Sequence, residues 1–332
     1  MKKLIQPVDF IISLLKKMDH FNYLPNYGNL GDGFIATATY VLFDKNKLNY
    51  TILKQPSESN TNIVFGGGGY FCGLYPYKHI KELLNNKQLK NIVFLPNTFY
   101  NCDDLISLFD ERFTIFCRDE RSYNYVQSFK TKAKIYLAHD MAFSWQERNL
   151  KLLKKEPEDA IPLGKRYTLW NYIYPLCKNI QNIKVGKQTY KVSYLLREDK
   201  EQVNGQKNPG CSFDLSGAYL GNFMHKPTTY WLLRLFRSTI QCSDIIVTNR
   251  LHISIMASKL GKEVILLDNS YGKVLSIWQM SMQDIKNVHL IKNCQNLEKE
   301  VEQILQNVPL MHTANDKEFL KLNPVPEAQL YT

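Results

Sequence analysis

The stretch Ile245–Asp268, IIVTNRLHISIMASKLGKEVILLD, decides the fold class. Ile245–Thr248 ends a short apolar, β-branched run, a helical pattern follows to about Leu260, and Glu263–Asp268 is a second apolar run. Gly261 stands between helix and second run, where a left-handed C-cap is needed. Strand, helix and strand in immediate succession make a parallel βαβ step.

The same alternation extends outward. Tyr190–Leu196 and Val288–Ile291 read as further strands of the second half, and Asn62–Phe65, Asn91–Leu95, Phe113–Cys117 and Lys134–Leu137 as strands of the first. Between the halves lies Gln146–Lys165, a charged stretch with two prolines and no strand pattern. The expected architecture is α/β: two Rossmann-like, doubly wound domains facing a cleft. They span residues 1–145 and 166–310, with 146–165 as the crossover and 311–332 as a C-terminal tail.

At 332 residues the chain has length for about two domains of roughly 150 residues each, and 44% hydrophobic residues suffice for a core in both. Lys plus Arg is 42 and Asp plus Glu is 31, so 42 − 31 gives +11, which favours anionic partners. The seven cysteines are scattered without a C-x-x-C, which argues against a disulfide framework and a cysteine zinc site and suits a reducing, cytoplasmic setting. The N-terminal MKKLIQPVDFIISLLKKMDH is interrupted by Pro7 and Asp9 and reads as an amphipathic first helix rather than a signal peptide. The longest uncharged run, Ser59–Tyr77, holds five glycines and a proline, so no transmembrane helix is expected.

Doubly wound sheets bind ligands beyond the carboxyl ends of their strands, so the residues directly after each apolar run carry the functional information. Asn29 and Asp32 lie in Asn26–Asp32, NYGNLGD, ahead of a helical pattern expected over Gly33–Phe43; this is either an anion-facing helix start or a turn capped by Asp32. Gly66–Gly69, followed by Tyr70, is a strand running into four glycines, which reads either as a ligand-lining loop or as close backbone packing. It is neither a Walker A motif nor GxGxxG, so ATP and NAD are poorly supported. Arg118 ends the Phe113–Cys117 strand and could bind an anion or pair with an acidic neighbour. Thr248–His252, TNRLH, and Asn269–Lys273, NSYGK, lie one βαβ step apart and bring Arg250, His252 and Lys273 to one sheet edge beside a helix N-terminus, which suits an anionic ligand.

GNLGD, the glycine tract, Arg118 with Ser122, His139–Phe143 (HDMAF) with its Asp140, the strand end Leu195–Glu198 with its Arg197, TNRLH and NSYGK occur in an order that resembles the polysaccharide pyruvyl transferase family, from about Asn26 to Trp278. Ile253 and Met141 depart from that pattern, where the family usually has glycine and proline. The resemblance implies a GT-B-like pair of domains that transfers the enolpyruvyl skeleton of phosphoenolpyruvate to two hydroxyls of a sugar in a surface polysaccharide precursor, giving a cyclic pyruvate ketal and phosphate. It associates Arg118, Arg250, His252 and Lys273 with phosphoenolpyruvate. His252 is the candidate acid, Arg118 an anion clamp, and Asp32 the candidate base; Asn29, Gly67, Gly68, Tyr70, Asp140 and Arg197 are candidate acceptor or loop contacts. No cofactor is expected, because phosphoenolpyruvate is itself the donor, and no metal, because His20, His225 and His312 fall outside the presumed site segments and no His/Asp/Glu pair near them has ligand spacing on one helix.

The alternative enzyme is a GT-B glycosyltransferase using a nucleotide sugar. A noncatalytic nucleic-acid or membrane module would use the +11 charge and 41 aromatic residues (17 Phe, 20 Tyr, 4 Trp), but no nucleic-acid recognition motif is present. The protein is expected in the cytoplasm, with an acceptor that is lipid-linked in many relatives. Ile161–Ile180 and Lys226–Phe236 mix basic and aromatic residues and suit either contact with the inner membrane face or interdomain helices packed in the core.

Overall fold

The computed structural model describes residues 3–53, 61–153, 169, 173, 179–199, 201–202, 207–268, 272–291 and 297–307. The chain divides into two compact units: Met1–Glu156 with Leu220–Tyr230 and Ser276–Gln283, and Pro157–Tyr219 with Trp231–Leu275 and Asp284–Thr332.

The first unit contains β1 (Ile5–Gln6), β2 (Phe21–Leu24), β3 (Gly28–Asn29), β4 (Tyr50–Ile52), β5 (Asn62–Phe65), β6 (Gly68–Phe71), β7 (Asn91–Phe99), β8 (Phe113–Cys117) and β9 (Lys134–Ala138). One sheet runs in the order β1-β9-β8-β7-β5-β2-β4, with β6 added against β7, and every pairing is parallel. Strands covered on both faces need continuous apolar runs, and Ile92–Phe99 and Phe113–Cys117 are buried throughout. Phe65, Phe71, Phe94, Phe99 and Phe113 build one core cluster, with Phe65 and Phe94 stacked at 4.5 Å between ring centroids.

β7 outruns the expected Asn91–Leu95 by four residues, and Asn97 in that extension still pairs with Gly68 of β6 and Cys117 of β8. Its register against β8 shifts between Phe94 and Asn97, where Pro96 has no N–H to give the ladder. Other boundaries also differ from the sequence reading. Only Val8–Leu15 of the N-terminal segment is helical, because Pro7 starts the helix and Ile5–Gln6 pairs with β9 instead. The helix expected from Gly33 begins at Leu30 and runs to Lys45, because Asn29 caps it earlier. Gly68 and Gly69 are not loop but the start of β6.

The second unit starts with β10 (Gln181–Val185) and β11 (Gln188–Leu195), an antiparallel hairpin that the sequence reading did not separate. Its turn uses Gly186 at φ +61°. β12 (Leu220–Gly221) belongs to the first unit and pairs antiparallel with β3. β13 (Ile245–Thr248), β14 (Glu263–Leu267) and β15 (Val288–Ile291) complete the order β10-β11-β13-β14-β15, parallel after the hairpin. The deciding stretch folds as read: the helix Leu251–Lys259 joins β13 to β14, and Gly261 has φ +71°.

Within Lys226–Phe236, Tyr230, Leu232, Leu233, Leu235 and Phe236 are buried and Lys226 pairs with Asp44. Residues 161–168, 170–172 and 174–178 of the other basic-aromatic stretch lie outside the described residues, as do residues 154–165 of the crossover and the whole 311–332 tail. No helix among the described residues is long and apolar enough to cross a membrane. The described cysteines Cys72, Cys102, Cys117, Cys211 and Cys242 form no disulfide with one another.

Candidate functional site

In the first unit the carboxyl ends of five parallel strands are tied into one polar floor. After β2, Asn26 Nδ2 donates to the carbonyls of Gly66 (3.2 Å) and Gly67 (3.1 Å), and Asn97 Nδ2 donates to the Gly66 carbonyl at 2.8 Å. This explains two of the four glycines. A Cβ on Gly66 would lie 2.8 Å from the Asn26 backbone nitrogen, and one on Gly67 would lie 2.8 Å from the Pro96 carbonyl oxygen. Gly68, at φ +137°, is different: its α-carbon faces Asp32, whose Oδ1 would be 3.2 Å from an added Cβ.

Asp32 accepts from the Asn29 backbone N–H through Oδ2 at 2.9 Å, while Asn29 Oδ1 accepts from Gly31 N–H at 2.8 Å. The pair is a capping box on the helix Leu30–Lys45, so Asp32 does have the capping role. The same carboxylate flanks Gly68 and Asn26, which brings Asn29, Asp32, Gly67 and Gly68 to one place.

Arg118 lies after β8 and is buried. Its Nε donates to Thr98 Oγ1 at 2.9 Å and its Nη1 to Asp140 Oδ2 at 2.6 Å. Asp140 caps the short helix Met141–Ser144 by accepting from Ala142 N–H, and Asp119 holds Ser122 and Thr98. Arg118 and Asp140 therefore brace this floor from within. Tyr70 is tied elsewhere: its hydroxyl donates to the Pro76 carbonyl at 2.6 Å, and its ring stacks on Tyr75.

In the second unit, pairing of Leu195 with Thr248 and of Thr248 with Leu266 puts the residues after β11, β13 and β14 on one sheet edge. Thr248 Oγ1 donates to the Leu195 carbonyl at 2.6 Å and accepts from Arg250 N–H at 3.0 Å, and Asn249 Oδ1 accepts from Arg197 N–H at 2.8 Å. These bonds fix Arg197 and Arg250 side by side.

The side chains form one chain of alternating charge. Lys273 Nζ donates to Glu201 Oε2 at 2.8 Å, and Arg197 Nη1 donates to the same oxygen at 2.6 Å. Asp199 then bridges Arg197 Nε (3.4 Å) and Arg250 Nη1 (2.8 Å). Asp214 takes the other side of the Arg250 fork, Oδ1 accepting from Nε at 3.0 Å and Oδ2 from Nη2. Burial pushes the Glu201 carboxyl up, but the Lys273 and Arg197 charges together hold it well below the usual carboxylate range. His252 sits half-buried in the first turn of the helix Leu251–Lys259 beside Arg250, and Ile253 after it is fully buried.

The structure thus joins Arg197, Arg250 and Lys273, which were read from separate motifs. The sequence reading missed what joins them. Asp199 and Glu201 lie two and four residues after Arg197, a usable local signal, whereas Asp214 and Asn249 gain their roles only through tertiary pairing. Asn269, Ser270 and Tyr271 lie outside the described residues. Among the described residues no three His, Cys, Asp or Glu side chains group as a metal site.

One protein family, polysaccharide pyruvyl transferase, matches residues 14–271. A curated Bacillus subtilis (strain 168) protein named "Putative pyruvyl transferase EpsO" is 25% identical over 330 residues, covering 90% of this chain and 96% of that one. A crystal structure of a functionally uncharacterised protein from Klebsiella pneumoniae subsp. pneumoniae NTUH-K2044 superposes with a TM-score of 0.64 at 24% identity, covering 86% of this chain and 97% of the other, a likeness of fold.

Proposed function

Because the chain belongs to the polysaccharide pyruvyl transferase family, we propose that it takes the enolpyruvyl group from phosphoenolpyruvate and builds a cyclic pyruvate ketal on two hydroxyls of a sugar in a polysaccharide precursor. The observation that carries the donor assignment is the linked set Arg197, Arg250 and Lys273 at one sheet edge beside a helix N-terminus. Three fixed cations suit a ligand with both a carboxylate and a phosphate. Within this charge network the bridging Asp199 is the most exposed carboxylate, at 37% against 5% for Glu201 and 7% for Asp214, and an arriving anion takes its place on Arg197 and Arg250.

In this reading His252, next to the Arg250 fork, delivers a proton to the donor methylene carbon. The neighbouring carbon becomes oxocarbenium-like, a first sugar hydroxyl adds to it, and its proton passes to a general base. The carbon–oxygen bond to phosphate breaks, the second hydroxyl closes the ketal, the proton it loses is taken up by the released phosphate, and the proton held by the base returns through solvent to His252. Lys273, Arg250 and Arg197 neutralise the departing phosphate. Asn29, Gly67 and Gly68 are assigned to the acceptor side, with Arg118 and Asp140 as positioning residues beneath it. A GT-B-like organisation, cytoplasmic action and a lipid-linked acceptor belong to the same proposal, and no cofactor is invoked.

Equilibrium binding discriminates this enzyme from a nucleotide-sugar glycosyltransferase. Phosphoenolpyruvate should bind and be weakened at least about tenfold by Arg250→Ala. Binding of uridine or guanosine diphosphates without binding of phosphoenolpyruvate would support the glycosyltransferase instead.

A further inference from the structure

The edge of the first unit's sheet opposite the polar floor holds a cavity that the proposed reaction does not use. β2, β5 and β7 are parallel and begin at Phe21, Asn62 and Asn91, so their amino ends share this edge. The cavity there measures about 440 Å³ and is lined by Lys17, His20, Asn22, Asn62, Lys90 and Asn91 among others. That volume lies within the roughly 300–1,000 Å³ of small-ligand sites.

Its back wall contains an unusual group. Asn22 is 3% exposed, yet its side-chain amide makes no hydrogen bond with any described residue. Its polar atoms therefore stay available to a ligand in the cavity that Asn22 lines. The groups around it are held in place with capacity left over. Asn62 Nδ2 donates to the His20 carbonyl at 2.8 Å and Asn91 Nδ2 to Asn62 Oδ1 at 2.7 Å, which leaves Asn91 Oδ1 as an acceptor. His20 Nε2 meets Thr51 Oγ1 at 2.9 Å, which leaves the other ring nitrogen. Lys17 and Lys90 make no ion pair with a described residue, and Asp19 is the one carboxylate in the lining.

We propose that this cavity binds a sugar bearing a phosphate or carboxylate group. Side-chain amides offer a donor and an acceptor together, which is what neighbouring sugar hydroxyls require, and Asn22, Asn62 and Asn91 supply three of them. Two ammonium groups against one carboxylate leave a net positive wall for the anionic substituent. A nucleotide fits poorly, because the lining holds no Phe, Tyr or Trp on which a base could stack. The ligand is either a free sugar phosphate or an acidic residue of a saccharide chain, and the inference stands independently of the reaction proposed above.

Calorimetric titration of the full chain with glucose 6-phosphate, glucuronate, glucose, inorganic phosphate and an acidic oligosaccharide tests it. Glucose 6-phosphate or glucuronate should bind at least about tenfold more tightly than glucose or phosphate alone. Asn22→Leu should remove that preference without lowering the melting temperature, since it replaces an unpartnered amide with an apolar group of similar size. The exposed pair Lys17→Ala/Lys90→Ala, which leaves the core untouched, should weaken binding about tenfold and flatten its salt dependence. Tighter binding of the oligosaccharide identifies a saccharide chain as the source, and tighter binding of glucose 6-phosphate identifies the free sugar phosphate. No binding of any charged sugar, or binding unchanged in both the Asn22→Leu and the lysine variants, would overturn the proposal.

Discussion

Arg118 Nη1 donates to Asp140 Oδ2 at 2.6 Å, with the two side chains 1% and 0% exposed. A charge pair so far from water is most costly when half of it is removed, because the remaining charge keeps its desolvation penalty without a partner. Asp140→Ala should therefore lower stability by about 3–5 kcal/mol. Arg118→Met combined with Asp140→Leu should recover most of that loss. Denaturant midpoints of the single and double variants measure the coupling.

The glycines of the tract should separate by mechanism. Gly67→Ala forces a Cβ to within 2.8 Å of the Pro96 carbonyl, so stability and activity should fall together. Asn26→Ala should do the same more mildly, by about 1–3 kcal/mol, because it leaves the Gly67 carbonyl without its amide partner. Thermal melting and turnover on the same preparations check both.

The deciding βαβ stretch was legible because its apolar runs are continuous and its C-cap is a glycine, and the strands β5, β8, β9, β13, β14 and β15 were legible for the first of these reasons. β1, β3 and β12 escaped because two residues carry no period, and β6 because a strand opening on Gly68–Gly69 has no side-chain pattern. Arg118 looked the same from sequence whether it faced a ligand or an internal aspartate. Its burial is decided by Thr98 and Asp140, some 20 residues away on either side. The cations Arg197, Arg250 and Lys273 were readable as strand-end residues, but the carboxylates that align them were not, since Asp214 reaches Arg250 across 36 residues.

Glu201 gives a pH signature. Its folded-state pKa is held below the ordinary value, so its contribution to stability is present above the unfolded carboxylate pKa and is lost only as pH falls through the lower folded value. Glu201→Gln should lower the melting temperature by a constant amount between about pH 5 and pH 8. The difference from the unsubstituted protein should close only in strong acid. A gap that closes at or above the ordinary glutamate pKa would show that Lys273 and Arg197 do not grip this carboxylate.

His252→Gln keeps the hydrogen-bonding shape but not the proton. Turnover should fall by about 10²-fold or more while phosphoenolpyruvate affinity and melting temperature stay near their original values. Steady-state kinetics with a direct binding measurement separates this from a loss of donor contact.

Pyruvyl transfer from phosphoenolpyruvate is measured by incubating the protein with phosphoenolpyruvate and a panel of galactosides, mannosides and N-acetylhexosamine derivatives while following phosphate release and product mass together. Phosphate should be released in step with a product heavier by one ketal-linked pyruvyl group, on at least one acceptor and absent without protein. Glycosyl transfer from a nucleotide sugar to the same panel, with phosphoenolpyruvate left intact, would contradict it.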